Sequence, residues 1–122
     1  MASSKPFLKW AGGKTKLVPF IQFNLPAEPR KRLIEPFAGS AALSLSLEFD
    51  AYLLNDTNPD LLGLHRILTQ ETHPLIHLSR HFFPPENNQE SRFYALREQF
   101  NQSVDLAERS ALFIYLNRHA FN

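Results

Sequence analysis

The segment from Arg32 to Ser46, R-L-I-E-P-F-A-G-S-A-A-L-S-L-S, constrains the fold most, because it holds a strand, a turn and the start of a new element. The apolar pair Leu33 and Ile34 predicts a short strand, which Glu35-Pro36 ends before Gly39 opens a tight turn. In a parallel sheet, ligands bind beyond the carboxyl ends of the strands, where a glycine lets a ligand approach the backbone. The segment is therefore typical of the start of a nucleotide-type pocket, although an ordinary strand–turn–helix connection also fits it.

Asp56 stands where the acidic partner of such a pocket is expected. It follows a second apolar run, Ala51-Tyr52-Leu53-Leu54, and a carboxylate there can accept hydrogen bonds from ribose hydroxyls. The dinucleotide fingerprint is incomplete, because Ala41 occupies the position of its second glycine. The residues alone therefore leave both interpretations of the turn open.

The link between the two predicted strands carries two patterns. The alternation from Leu43 to Phe49 favours a strand, whereas Ala38, Ala42, Leu45 and Phe49 form a helical stripe. A connection between parallel strands usually returns through a helix. We therefore predict a helix here.

Composition sets the broad class. The 122 residues are 43% hydrophobic, enough for one domain or two half-domains with a core. The absence of cysteine excludes disulfides and thiolate metal sites, and no apolar run reaches membrane-spanning length. The segment Met1 to Pro6 lacks the apolar core of a signal peptide. We expect a cytoplasmic monomer.

The start of the chain is basic. The first 32 residues contain seven Lys or Arg and one Glu, a net charge of +6, whereas the remainder carries −5. This asymmetry fits contact with phosphate, and it equally fits a solvated surface. Gly13-Lys14-Thr15 suggests a phosphate-binding loop, but Leu8 stands where that motif needs glycine. The interpretation that remains is a Gly12-Gly13 hinge beside Trp10, followed by a helix with Leu17, Phe20, Ile21 and Leu25 on one face. Pro26 and Pro29 are expected to end this helix.

The second half predicts helices and no third strand. Asn58 is the expected N-cap of the first, with Pro59 at its first position, and Asp105 with Glu108 resembles a capping box. The expected apolar faces are Leu61, Leu64 and Leu68; then Leu75, Leu78 and Phe82; then Phe93, Leu96 and Phe100; and last Leu106, Phe113 and Leu116, with Ala107, Ala111 and Ile114 beside them. His73, His77 and His81 have metal-ligand spacing, but His73 precedes Pro74 and is expected outside the helix, so we predict no metal site.

Four motifs in one order carry a resemblance to a known family. They are F-L-K-W-A-G-G-K at 7–14, E-P-F-A-G-S at 35–40, N-D-x-N-x-x-L at 55–61 and L-N-R-H-A-F-N at 116–122. Together they resemble the Dam-type (class alpha) DNA adenine-N6 methyltransferases. The resemblance implies an α/β fold: residues 1–57 would be the N-terminal half of a Rossmann-like S-adenosylmethionine-binding catalytic domain, and residues 58–122 an incomplete helical target-recognition region.

The same resemblance implies a cofactor site. Trp10 and Lys14 would line the S-adenosylmethionine pocket, and Asp56 would bind the ribose. The turn with Glu35, Phe37, Gly39 and Ser40 would approach the methionine end of the cofactor. These roles suit the chemistry, since an aromatic ring can cover a sulfonium and a carboxylate can accept from hydroxyls.

The resemblance also implies double-stranded DNA as a partner. Lys9 would meet guanine acceptors, and Arg118, Phe121 and Asn122 would hold the DNA and fill the gap left by the extruded adenine. The family more often has tyrosine where Phe121 stands and frequently glycine where Ala41 stands.

The family's catalytic D-P-P-Y motif is missing from this sequence. Pro84-Pro85 lies between Phe83 and Glu86, without the acid or the tyrosine, so no catalytic residue is assigned. We expect an N-terminal fragment of a site-specific enzyme that methylates adenine in a short palindrome such as GATC, inactive without its C-terminal half. Two alternatives stay open: a truncated, non-catalytic module that binds the cofactor or DNA, and an unrelated small α/β domain.

Overall fold

A short parallel sheet forms the centre of the first half of the chain. In the computed structural model, which describes residues 5–120, strand β1 (Arg32–Glu35) pairs with β2 (Ala51–Leu54) in parallel. Helix α2 (Ala42–Ser46) lies between them in the sequence and packs against β1. The helix prediction for this link is confirmed and the strand pattern was misleading, but α2 has only five residues.

One face of this sheet is uncovered within the first half of the chain. Ile34 and Leu53 are partners in the register and therefore share a face, and they are 52% and 50% exposed. On the other face, the Tyr52 hydroxyl donates to the Leu47 carbonyl at 2.8 Å. Parallel sheets are normally covered on both faces, so the Ile34–Leu53 face is incomplete as an isolated layer.

The helix predicted after the Gly12-Gly13 hinge is present. A 3₁₀ turn (Thr15–Leu17) leads into α1 (Val18–Asn24), which ends two residues before Pro26. Its expected apolar face is not buried, since Leu17 is 53% and Phe20 is 69% exposed.

The second half is helical, and its described residues contain no strand. Its elements are α3 (Pro59–Gln70), α4 (Thr72–Arg80), a 3₁₀ turn (Pro85–Asn87), α5 (Glu90–Gln102) and α6 (Leu106–His119). Helices α3, α4 and α5 all pack against α6.

The predicted helix starts are confirmed where side chains cap them. Asn58 Oδ1 accepts from the Asp60 and Leu61 N–H groups at 3.0 and 3.1 Å, and Asp105 Oδ1 accepts from the Glu108 N–H at 2.8 Å. Two predictions for α4 were wrong. His73 lies inside the helix because Pro74 falls in the first turn, where a backbone N–H is not needed, and the helix ends at Arg80, so Phe82 of the predicted apolar face lies beyond it.

The chain divides into two compact units, one up to Thr57 and one from Asn58 onwards. This is also the division that the resemblance implies. The roles predicted for the two units, part of a catalytic domain and a target-recognition region, remain predictions. Among residues 5–120, no helix is both long and apolar enough to cross a membrane.

Candidate cofactor site

The candidate site is built on the turn that follows β1. The Asn55 N–H donates to the Glu35 carbonyl and the Ala38 N–H donates to the Asn55 carbonyl, both at 2.8 Å. These bonds continue the pairing of the strands past their ends. The turn therefore lies at the carboxyl edge of the sheet, next to the residue that follows β2.

Asp56 holds this turn. Its Oδ2 accepts a hydrogen bond from the Gly39 N–H at 2.9 Å. Gly39 has a φ of +55°, a left-handed conformation that favours glycine, and Ala41 follows with a φ of +61°. The carboxylate expected to bind a ligand thus also fixes the backbone of the glycine turn.

Trp10 lies against Gly39. A Cβ atom added at Gly39 would be 3.1 Å from Trp10 Cδ1 and 3.6 Å from Nε1. We expected the missing side chain to let a ligand approach the backbone. In the structure the atoms nearest to that position belong to the indole ring, so the turn and Trp10 form one wall.

Lys14 connects the N-terminal segment to β1. Its Nζ donates to the Phe37 carbonyl and lies 3.8 Å from Glu35 Oε2. The Glu35 side chain is only 2% exposed, and its Oε1 accepts from the N–H and the hydroxyl of Ser44 at 2.8 and 2.6 Å. A buried carboxylate needs such partners, and Lys14 is the cation that compensates its charge.

These groups surround an open cavity of about 260 Å³ at the carboxyl edge of the sheet. Five predicted cofactor residues line it, namely Trp10, Lys14, Phe37, Gly39 and Asp56. Ser40 instead lines a neighbouring cavity of about 480 Å³, and Glu35 lines neither of these two cavities. Glu35 therefore stands behind Lys14 rather than in the cavity wall.

The segment between Trp10 and Lys14 was not among the predicted site residues. Gly12 and Gly13 line both cavities, and the Gly13 N–H donates to the Trp10 carbonyl at 3.2 Å. The available signal was the pair of glycines, interpreted only as a hinge. The bond to Trp10 shows that they close a turn that carries the indole.

The predicted DNA-binding residues fall on both units. Lys9 is an exposed residue of the first unit, and Arg118 is exposed on the last turn of α6. Phe121 and Asn122 lie outside the described residues. Within residues 5–120, no three His, Cys, Asp or Glu side chains are grouped so that they could hold a metal ion.

Comparison with known proteins identifies the family. The sequence profile of the D12 class N6 adenine-specific DNA methyltransferases matches residues 10–122. The chain belongs to this family. The match begins at Trp10 and includes the glycine turn, Asp56 and α6, so the prediction drawn from the four motifs is confirmed.

Curated relatives match the whole chain. It is 44% identical to the DNA adenine methylases of Vibrio cholerae serotype O1 and Serratia marcescens, and 40% identical to that of Escherichia coli K12. Each match covers 100% of this chain but only 43% to 44% of the relative. The chain thus spans less than half the length of these relatives.

Proposed function

We propose that this chain is the cofactor-binding part of a site-specific DNA adenine-N6 methyltransferase that uses S-adenosylmethionine. The observation that carries the proposal is the cavity at the carboxyl edge of two parallel strands, with Trp10 and Asp56 in its wall. The fold proposed around it is the first half of a Rossmann-like domain, followed by a helical target-recognition region from residue 58. The reaction would methylate adenine in a short palindromic site such as GATC.

The residues present fit S-adenosylmethionine. Asp56 already accepts one hydrogen bond from Gly39, and a carboxylate has further lone pairs for ribose hydroxyls. The Trp10 ring offers a π-face to a sulfonium cation. The bound cofactor would supply the methyl group, while Lys14, held by Phe37 and Glu35, would keep the wall of the cavity in place.

The cavity is smaller than a complete cofactor site. Pockets that bury a drug-sized ligand usually enclose about 300–1,000 Å³, whereas this one encloses about 260 Å³. The half-exposed Ile34–Leu53 face of the sheet is likewise without a covering layer inside the first unit. Both observations support a complete enzyme in which a further polypeptide segment covers the sheet and closes the cofactor site.

The chemical step needs that further segment as well. The family's D-P-P-Y motif, which orients the adenine amino group and stacks on the base, does not occur in the sequence. We therefore propose that the chain alone does not transfer methyl groups. In the complete enzyme, Lys9, Arg118, Phe121 and Asn122 would contact double-stranded DNA.

Cofactor binding tests the proposal directly. Titration with S-adenosylmethionine, followed by heat and by the fluorescence of the sole tryptophan, Trp10, should saturate. Asp56→Asn keeps an oxygen for the Gly39 N–H but loses the charge, and should weaken binding about tenfold or more. Asp50→Ala, an exposed acid just before β2, is the matched control and should bind like the parent chain. No saturable binding by a folded parent chain would sink the cofactor assignment.

Complementation separates the enzyme part from the alternative, a non-catalytic module that binds the cofactor or DNA. The chain would be mixed with the portion of the Escherichia coli DNA adenine methylase that lies outside the matched region. Transfer of labelled methyl groups to a GATC duplex by the mixture, but by neither piece alone, supports the enzyme part. Cofactor binding without transfer in any mixture favours the module.

A further inference from the structure

A second cavity, about 480 Å³ in volume, shares a wall with the candidate cofactor cavity. Trp10, Gly12 and Gly13 line both cavities. The remaining lining of the second cavity includes Lys5, Lys16, Thr15 and Ser40. None of its lining residues is acidic, whereas the cofactor cavity contains Asp56.

The two lysines differ from Lys14. Lys14 is engaged by the Phe37 carbonyl and by Glu35. Neither Lys5 nor Lys16 pairs with a carboxylate among residues 5–120. Their ammonium groups are therefore available to an anion. Thr15 and Ser40, whose side chains carry hydroxyl groups able to donate hydrogen bonds, line the same cavity.

We propose that this Lys5–Lys16 cavity is an oxyanion site and that a backbone phosphate of DNA occupies it. A lysine binds phosphate as a point charge on a flexible side chain and needs no fixed geometry. This mode of binding suits an open cavity that is lined by Lys5 and Lys16. The +6 charge of the first 32 residues attracts a polyanion in the same way. Such a contact positions the duplex and does not depend on base sequence.

A carboxylate presents the same chemistry as a phosphate oxygen, and S-adenosylmethionine carries one. The DNA assignment rests on the proposed function, whereas the oxyanion site itself rests only on the cavity. Because Trp10 borders both cavities and is the only tryptophan, its fluorescence reports occupancy of either one. The experiment can therefore test the site first and its occupant afterwards.

Pyrophosphate is the first probe, titrated into the full 122-residue chain. We expect a saturable change in Trp10 fluorescence. Lys16→Gln should weaken binding by about threefold to fivefold, the range for one exposed charge contact, and the Lys5→Gln/Lys16→Gln double variant should weaken it further. Lys31→Gln removes the same charge outside both cavities and should change nothing. Unchanged pyrophosphate affinity in a folded double variant would overturn the proposal, as would a parent chain that gives no saturable response.

Two further titrations identify the occupant. With a GATC duplex, the slope of log affinity against log salt should fall by about 0.9 for each lysine removed, equally for a duplex of unrelated sequence. Affinity for S-adenosylmethionine should stay unchanged in the same variants. If cofactor binding weakens and the salt slope does not, the occupant is the cofactor carboxylate and the DNA assignment is wrong. Failure of the parent chain to bind S-adenosylmethionine would count against the proposed function while leaving the pyrophosphate result intact.

Discussion

The two units bury their apolar side chains to different degrees. Among residues 5–120, the largest fully buried side chains all belong to the second unit: Tyr115, Leu61, Leu64, Leu75, Leu112 and Ser110. The buried apolar set of the first unit is half alanine: Leu8, Ala38, Ala41, Ala42, Leu43 and Leu47. Large buried side chains contribute most to hydrophobic stabilisation, so the helical unit has the stronger core.

The first unit, which carries the candidate cofactor cavity, also exposes more large apolar groups. Its half-exposed or exposed members are Phe7, Leu17, Phe20, Phe23, Ile34, Phe37, Leu45, Tyr52 and Leu53. A surface of this kind usually marks a place where another group binds. The comparison teaches that the helical unit buries large side chains in a core of its own, whereas the unit with the candidate site leaves many of its large apolar groups exposed.

The largest expected effect is in the core of α6. Leu112→Ala removes a side chain that is fully buried and should reduce the free energy of unfolding of the second unit by about 2–5 kcal/mol. Amide hydrogen exchange in α3 and α6 measures this loss. Val104→Ala, at a side chain that is 97% exposed, is the matched control and should cost almost nothing. Equal protection in both variants would contradict a core centred on α6.

In the first unit, the substitution expected to destabilise most is Gly39→Ala. The new methyl group would meet Trp10 at 3.1 Å while the backbone keeps a φ of +55°, so we expect a loss of about 1–3 kcal/mol and a displaced indole. Gly12→Ala carries similar backbone strain at a φ of +73°, but its Cβ would have nothing within 4 Å. Trp10 fluorescence should therefore shift in the first variant only. The same shift in both would mean that strain, and not contact with Trp10, positions the ring.

A polar cluster around Arg109 makes a smaller contribution to the stability of the second unit. Arg109 donates to both carboxylate oxygens of Asp60, at 3.0 and 3.1 Å, and to the Phe100 and Ser103 carbonyls at 2.7 and 2.8 Å. A lysine cannot reproduce this fork, so Arg109→Lys should cost about 1–2 kcal/mol, with the partial exposure of the pair limiting the loss. The control is Arg97→Lys, which changes an exposed arginine on α5. Chemical denaturation of both variants tests the difference, and equal midpoints would show that the cluster adds no stability.

Local signals in the sequence predicted much of this architecture. Asn58 and Pro59 mark the start of α3, and its predicted face holds in Leu61 and Leu64, both fully buried. These signals are read over a few residues, where capping and helical periodicity act directly. The strands around Ile34 and Leu53 were predictable because short apolar runs are also local signals.

Other features depend on neighbours distant in the sequence. Of the side chains predicted for the apolar face of α6, Ala111 is fully buried but Leu106 is 44% exposed, and the fully buried Leu112 and Tyr115 were not predicted. Helix α6 is apolar on several sides, so only the packing of three other helices selects which side is buried. The contact of Gly39 with Trp10 likewise joins residues far apart in the chain, and no local pattern encodes it.

The smallest expected effect concerns Tyr115, and it appears only at high pH. Burial raises the pKa of the Tyr115 phenol, with a smaller opposing effect from Arg92. The unfolded chain releases this proton near the ordinary value of about 10, while the native state retains it. The stability of the second unit should therefore be intact below about pH 10 and fall as the pH rises through the raised native pKa.

Tyr115→Phe tests whether this phenol causes the loss of stability of the second unit at high pH, with a variant of the first unit as the control. The variant loses the hydrogen bond from the hydroxyl to the Asn87 carbonyl, 2.7 Å long, which should cost about 1 kcal/mol at neutral pH. In return, the exchange protection of α6 should depend less on pH above 10 than it does in the parent chain. Tyr52→Phe removes a hydrogen-bonded phenol from the first unit and should leave the alkaline profile of α6 unchanged. If the exchange protection of α6 declines above pH 10 in Tyr115→Phe as it does in the parent chain, another group in the helical unit causes the decline. The buried phenol would then not explain a difference in alkaline stability between the two units.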